Sequence, residues 1–409
     1  MLYCDESEER RSLRVDAFQR QARWADQNRR VGFEGLKAPV LGLFGETGSL
    51  LTQLKRTQRE KATYSPYYAS VVEEMGDVLW YLANSASRLR VRLSALARLP
   101  VGAGNPQTLS LAPRPELTFG NLQRGRRRYA DRVTRSSEED FFGLGAVVGK
   151  FMDDFTTNGH RSLSRLDILM HLARVLRALV RAASSAGVSM TLVAHNNLAK
   201  TGSRWPKRHR RIYLDPFDKN FKKGEQLPRR IVMHFEEKKI NGKTYVFQQC
   251  RGLNIGDRLT DNKTEKDDYR FHDVFHLAYA AILGWSPVTR ALFRVKRKSD
   301  LDADENQDGA RAILIEEGIA TWIFNHGSGH KDFRLTKNLD YSLLKAIRQF
   351  SLGYEVDQCP LWQWQLAILE GFKVFRRLKK ERSGWVIADM KRHSITYRRT
   401  VPKDLQRWQ

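Results

Sequence analysis

Several carboxylates occur in stretches of this sequence whose other residues are largely apolar. Glu73, Glu74 and Asp77 lie inside one such run, residues 71–82, and Glu46 lies in an apolar stretch that precedes it. An unpaired buried carboxylate costs several kcal/mol, so these side chains need a cation or a hydrogen-bonding partner. The pattern therefore predicts a site that binds a divalent metal ion and handles phosphates.

The spacing of these acids would bring them together on one side of a helix pair. Glu74 and Asp77 are three residues apart, and Glu73 and Asp77 are four apart, so either pair would project from one helix face. Glu46 can face them if its own helix packs antiparallel to theirs, which a short connection favours. Oxygen ligands suit Mg²⁺, which also takes phosphate oxygens from its substrate, and Mn²⁺ is a second candidate.

Apolar residues at helical spacing predict the elements that hold these acids. The predicted N-terminal helices lie at about 13–30, 40–59, 68–98, 139–155 and 164–186. Pro and Gly punctuation marks about 99–138 as an inserted, partly irregular segment. The residues of the helices after it resemble those of the second and third helices position by position. One interpretation of 139–200 is therefore a degenerate helical repeat. In that repeat Met170, His171 and Arg174 take the positions of the acids.

Segments 45–51 and 73–82 together resemble the MazG-like, all-α nucleoside triphosphate pyrophosphatases, whose motif is E-x-x-E, a spacer, and E-x-x-D. The acids that match the first, third and fourth motif positions are Glu46, Glu74 and Asp77. Ser49 stands where the second Glu is expected. The segment 195–200 also resembles the late N-x-x-K segment of the family, and the whole resemblance covers about residues 13–205.

The resemblance implies an Mg²⁺-dependent hydrolase that cleaves a nucleoside triphosphate between its α and β phosphates, releasing a monophosphate and pyrophosphate. The implied metal ligands are Glu46, Glu74 and Asp77. Glu73 would be a further ligand or the base that orients the attacking water. Lys200 would neutralise phosphate charge, Asn197 would contact sugar or phosphate, and a homo-oligomer, dimeric or larger, would complete the helical bundle.

Ser49 leaves two interpretations open. A serine hydroxyl is a weak ligand for Mg²⁺ and adds no charge, so the site is active only if Glu73 compensates or if one metal ion suffices. The alternative is a catalytically degenerate MazG-like fold that binds nucleotides or nucleic acid as a sensor. The active enzyme, with a role in nucleotide-pool control or phage defence, is the preferred hypothesis.

Composition limits the partners and the compartment. The formal net charge of +25 favours polyanionic partners, although solvated Lys and Arg side chains would explain it equally well. Basic segments with aromatic neighbours, at 124–128 and 205–211, are candidate contacts for nucleic acid. Three widely spaced cysteines, no signal-peptide pattern and no apolar stretch of roughly 18 residues predict a cytoplasmic protein with no membrane association.

A second candidate metal site lies in the C-terminal half. His272 and His276 are four residues apart in a predicted helix, and with Asp273 and Glu316 they could hold a metal ion. The same histidines could instead form only structural hydrogen bonds to Glu316 or Asp308. The sequence is compatible with both interpretations.

The overall prediction is a mainly α protein. A MazG-like helical bundle occupies 1–205, a basic linker 206–230, and a mostly helical α+β domain of unknown role 231–409. In that last domain, apolar strands flank Asn241-Gly242, a pair that favours the type I′ turn of a hairpin. Its predicted helices lie at about 269–284, 286–296, 308–325, 340–352 and 360–380, and a closing pair of strands at 384–388 and 394–397.

Overall fold

The computed structural model divides the chain into two compact units, Met1–Arg208 and His209–Gln409. It describes residues 12–28, 30–60, 67–100, 116–123, 135–157, 163–207 and 211–402. Helices predominate, with one small sheet, which confirms the predicted mainly α fold class. None of the described helices has the length and apolar character needed to cross a membrane. The predicted basic cluster at 124–128 lies outside the described residues.

The first unit is built from helices. They are α1 (Val15–Ala25), α2 (Lys37–Glu60), α3 (Tyr67–Arg88), α4 (Leu93–Arg98), α5 (Phe119–Leu122), α6 (Arg135–Thr157), α7 (Arg165–Ser185) and α8 (Met190–Arg204). The single helix predicted over 68–98 is wrong in one respect, because α3 ends at Arg88. Arg90 then adopts a left-handed conformation with φ of 55°, which separates α3 from α4.

Helix α3 is the central element of this unit. Helices α1, α2, α7 and α8 all pack against it, and its apolar residues, such as Met75 and Leu79, are fully buried. Helices α2 and α3 form one packed pair, and α6 and α7 form a second. The two pairs meet where α6 contacts α2 and α7 contacts α3. In this second pair, Asp154 forms an ion pair with Lys150, and its Oδ2 lies 3.2 Å from His171 Nε2.

The outer face of α2 differs from the prediction. A helix predicted from apolar periodicity should bury its apolar residues, yet 65% of Leu41 and 49% of Phe44 is exposed. Leu43, Leu50 and Leu54 are buried. The helix therefore buries one face against its neighbours and leaves a separate apolar pair outside.

Gly76 lets α8 approach α3 closely. A Cβ atom at this position would lie 3.0 Å from the Cβ of Asn197 and 3.3 Å from the carbonyl oxygen of Val193. Both separations are shorter than ordinary van der Waals contact, so a side chain here would push the two helices apart. The glycine thus helps to place the polar residues of α8 against the acids of α3.

We expect Gly76→Ala to lower the free energy of unfolding by about 1–3 kcal/mol, because the added methyl group overpacks the contact between α3 and α8. Gly149→Ala is the matched control, since Gly149 lies within α6 and has open space where its Cβ would be. That change should be neutral or stabilise by up to about 1 kcal/mol. Denaturant unfolding measures both, and equal effects of the two changes would contradict the close-approach argument.

The second unit combines an antiparallel sheet with helices. Its strands, in the sheet order β3-β2-β1-β4-β5, are β1 (Arg230–Ile240), β2 (Lys243–Cys250), β3 (Leu253–Asn254), β4 (Ser383–Asp389) and β5 (Ser394–Arg398). Its helices are α9 (Asp273–Leu283), α10 (Pro287–Phe293), α11 (Ala310–Ser328), α12 (Tyr341–Phe350) and α13 (Leu361–Glu381). Asn241 and Gly242 have φ of 48° and 77°, which confirms the predicted hairpin turn.

Residues 211–230, expected to belong to a linker, pack within the second unit. Asp218 is fully buried and accepts a hydrogen bond of 2.9 Å from Arg290, and it also pairs with Arg229 at 2.7 Å. The ring of Tyr213 stacks on His393 with 3.7 Å between the centroids. These contacts make the described part of the segment a component of the second unit.

Candidate metal centre of the first unit

Three carboxylates from two helices converge in the first unit. Glu46 projects from the middle of α2, and Glu74 and Asp77 project from α3. Each offers one oxygen, and these oxygens all lie within 4.8 Å of one another. All three side chains are partly exposed, so an ion or a substrate could reach them. The predicted ligand set therefore meets in space.

Burial, together with repulsion from neighbouring carboxylates, leaves two of these carboxyls only weakly acidic. Burial, followed by the negative charge of Asp77, raises the pKa of Glu46 to about 7. Burial also raises the pKa of Glu74 to about 7, with further contributions from the charges of Asp77 and Glu73. Near neutral pH both groups are therefore shared between their protonated and ionised forms, and a cation would favour the ionised form.

Lys200 provides positive charge beside this group. Its Nζ lies 2.5 Å from an oxygen of Asp77 and 3.0 Å from an oxygen of Glu73. Burial disfavours the charged ammonium, but the two carboxylates outweigh burial, so the pKa of Lys200 lies above its ordinary value. Lys200 is therefore a fixed cation that stabilises the acids of α3.

Two amides orient the converging carboxylates. Asn197 Nδ2 donates a hydrogen bond of 3.0 Å to Asp77, and Gln53 Nε2 donates one of 3.2 Å to Glu74. Asn197 and Lys200 are both buried, and their contacts are to acids, whereas the resemblance implied direct contacts to substrate. Because they are three residues apart on α8, they approach α3 together.

Glu73 does not join the converging group. Its side chain is buried and bonds to Lys200, which gives it a different position from that of the ligand or catalytic base expected from the sequence. Ser49 lies one helical turn beyond Glu46 on α2 and is partly buried. Gln53, which the sequence analysis missed, follows one turn later. The spacing could have identified it, because residue 53 is seven positions after Glu46 and therefore lies on the same helix face.

Comparison with known proteins gives one family match, which lies in the second unit. Residues 212–401 match the family model described as the MazG C-terminal domain. A similar relative is the Gene 37 protein of Mycobacterium phage L5, which is 34% identical over 67 residues, or 16% of this chain and 59% of the phage protein. These matches support a MazG-like protein with an additional domain. No solved structure matches the chain.

The carboxylate site of the first unit suits a hard divalent cation. Its donors are all oxygens, which Mg²⁺ and Mn²⁺ prefer. Lys200 hydrogen-bonds Asp77 and Glu73, yet the pKa values of Glu46 and Glu74 stay raised in its presence. A cation at the three converging oxygens would stabilise the ionised carboxyls, so the residues fit the metal that the resemblance implies.

The second group of sequence candidates meets in the second unit, with a different carboxylate. His272, His276 and Glu317 offer ligand atoms within 4.8 Å of one another. Glu316, the predicted member, lies outside this group: it is fully buried and accepts a 2.9 Å hydrogen bond from the other ring nitrogen of His276, Nδ1. Asp273 Oδ1 lies 3.1 Å from His272 Nε2.

Two neighbours of this second group also have defined roles. Glu316 accepts further hydrogen bonds from the hydroxyl of Ser286 and the backbone N–H of Val288. Asp308, the other structural partner considered for the histidines, pairs with Arg297 and Arg290 instead. The hydrogen bond considered between His276 and Glu316 is therefore present, and Asp308 belongs to a separate ion-pair cluster.

The raised pKa values predict that Mg²⁺ binding to the first unit weakens as the pH falls. Protons compete with the metal for Glu46 and Glu74, whose pKa values are about 7. Apparent affinity should fall by about tenfold for each of these carboxyls between pH 8 and pH 6. Isothermal titration calorimetry measures it, and an affinity that stays constant over this range would contradict the assignment.

Proposed function

We propose that the first unit is an Mg²⁺-dependent nucleoside triphosphate pyrophosphohydrolase. The observation that carries this proposal is the convergence of Glu46, Glu74 and Asp77 within 4.8 Å. The MazG-like family favours a nucleotide-related function, and the all-oxygen site suits a metal that also binds phosphates. The proposed substrates are NTPs or dNTPs, and the products are the monophosphate and pyrophosphate.

The side chains of the site would act mainly by positioning. Glu46, Glu74 and Asp77 would hold the metal, which when bound polarises phosphate oxygens and lowers the pKa of water. Lys200 and Asn197 fix the two oxygens of Asp77, so this ligand is held from the α8 side. Glu73 acts through Lys200 as a positioning residue. Fixed ligands of this kind lower the cost of reorganisation during the reaction.

Product analysis tests the activity itself. Purified full-length protein should convert at least one of the eight common NTPs and dNTPs, in the presence of Mg²⁺, to a monophosphate and pyrophosphate. Chelation of the metal should abolish this conversion, because no side chain in the group replaces its charge. A folded protein that releases no pyrophosphate from any of these nucleotides would contradict the proposal.

Asp77→Asn and Glu73→Gln form a matched pair that separates metal binding from positioning. Both replace an acid bonded to Lys200 by its amide, but only Asp77 belongs to the converging group. Asp77→Asn should lower kcat by roughly 100-fold or more, because it removes a metal ligand. Glu73→Gln should reduce stability more than activity, since Lys200 loses one of its buried partners.

Steady-state kinetics and denaturant unfolding of the two variants measure these effects. Equal losses of kcat in both would show that Glu73 takes a direct part in the chemistry. Unchanged kcat in Asp77→Asn would move the active site elsewhere in the molecule.

The second candidate function is nucleotide or nucleic-acid binding without turnover. Ser49 favours it, because a neutral side chain occupies a position where the family motif has an acid. Such a sensor would bind polyanions with a steep dependence on salt, since phosphate contacts release counterions. Salt-dependent binding of RNA, DNA or nucleotide by a protein that lacks hydrolytic activity would support this alternative.

We also propose that the first unit associates with further copies of the chain. Leu41 and Phe44 lie three residues apart on α2 and form an exposed apolar pair, and Phe142 on α6 is 56% exposed. Leu41→Gln with Phe44→Gln should shift sedimentation toward a smaller species, because the pair would no longer be buried between copies. Leu335→Gln, at an exposed leucine of the second unit, is the control. Identical sedimentation of both variants and wild type would contradict this interface.

A further inference from the structure

We propose that His272, His276 and Glu317 form a second metal centre, which binds a divalent transition-metal ion such as Zn²⁺. The group lies in the second unit and shares no residue with the carboxylate site. Two imidazoles and one carboxylate are a donor set that suits zinc, iron and manganese better than Mg²⁺. The proposal is therefore independent of the nucleotide hydrolysis assigned to the first unit.

The distances leave room for an ion. Glu317 Oε2 lies 3.7 Å from His272 Nε2 and 3.5 Å from His276 Nε2. In a tetrahedral site with bonds of about 2.0–2.1 Å, neighbouring ligand atoms are separated by about 3.3 Å. Small side-chain movements would therefore bring all three atoms to a common ion.

The other nitrogen of each histidine already has a partner that orients the ring. His272 Nδ1 donates to the carbonyl oxygen of Tyr269 at 2.9 Å, so the lone pair of the neutral ring lies on Nε2. His276 Nδ1 lies 2.9 Å from Glu316 Oε1. Metal-ligating histidines almost always bond a carbonyl or carboxylate in this way through the nitrogen that does not bind the metal.

His276 Nε2 supplies the most specific indication. It is buried and has no hydrogen-bond partner among the described residues, although His276 itself is only 2% exposed. Glu316, which orients this ring, is in turn held by Ser286 and Val288. The ring of His276 is therefore held in place, and its buried Nε2 lies 3.5 Å from Glu317 Oε2. An ion could bind between these two atoms.

A proton on His276, rather than a metal ion, could also balance the negative charge of this group. Burial opposes a charge on His276, but Glu316 outweighs burial and raises its pKa above the ordinary value. Burial would raise the pKa of Glu317, yet His276 outweighs it and lowers that pKa to about 2. Protonation of His276 would place an imidazolium between these two carboxylates. A proton and a metal ion are alternative occupants of the same nitrogen, and experiment can distinguish them.

The site is open to a cavity of about 690 Å³, lined by His272, Asp273 and Glu317 among other residues. The side chain of Glu317, which lines this cavity, is 37% exposed. Asp273, which is held by a hydrogen bond from Gln248, could provide a fourth ligand or contact a metal-bound water. Three protein ligands with an open position toward a cavity are typical of catalytic rather than structural zinc sites. The cavity would therefore admit a small molecule that offers an oxygen donor.

Zinc titration of the full-length protein tests the proposal. Chelator-stripped protein is titrated with Zn²⁺ against a chromogenic chelator, with excess Mg²⁺ present to fill the all-oxygen site of the first unit. Glu317→Gln should weaken zinc binding at least tenfold, because it removes a ligand charge. His272→Gln should weaken it similarly, and Co²⁺ substitution should give a visible absorption spectrum that both variants lose.

Glu370→Gln is the matched control, since its side chain on α13 is 33% exposed and pairs only with a surface lysine in the described contacts. It should bind zinc as wild type does, and circular dichroism should show that all variants are folded. The proposal is overturned if the folded wild-type protein takes up no zinc under these conditions. It is equally overturned if Glu317→Gln and His272→Gln bind zinc as tightly as Glu370→Gln does.

Discussion

Negative charge buried beside the central helix is the constraint on which the first unit depends. Helix α3 is covered by four other helices, yet it carries Glu73, Glu74 and Asp77 within one turn and a half. Uncompensated charges in such a position would strongly destabilise the fold. Lys200 compensates part of this charge from α8, and a close contact at Gly76 makes its approach possible. Fold and site are thus coupled through the same two helices.

The two candidate centres differ in donor chemistry and in how they are supported. The first unit offers carboxylate oxygens, and burial and neighbouring acids raise the pKa values of Glu46 and Glu74. The second unit offers imidazole nitrogens oriented by Tyr269 and Glu316. Hard ions that bind phosphates suit the first set, and transition metals suit the second. A single chain could therefore hold two different metals in two separate units.

Sequence spacing predicted the helices and the convergence of the first three acids, because residues three or four apart share a helix face. It could not determine which of two adjacent acids faces inward. Glu73 was expected near the metal but pairs with Lys200, and Glu317 rather than Glu316 joins both histidines in the possible ligand group. Neighbouring positions differ by about 100° around a helix, so the packing of other elements decides between them. The exposed Leu41 and Phe44 follow from the same tertiary packing.

Direct observation of the bound ion is the sharpest test of the carboxylate centre. Mn²⁺ binding is followed by electron paramagnetic resonance in a Glu317→Gln background, so that the second unit does not contribute. The protein should bind Mn²⁺ in competition with Mg²⁺, and adding Glu46→Gln or Glu74→Gln should weaken that binding at least tenfold. Mn²⁺ binding that is unaffected by these two substitutions would contradict a metal centre at Glu46, Glu74 and Asp77.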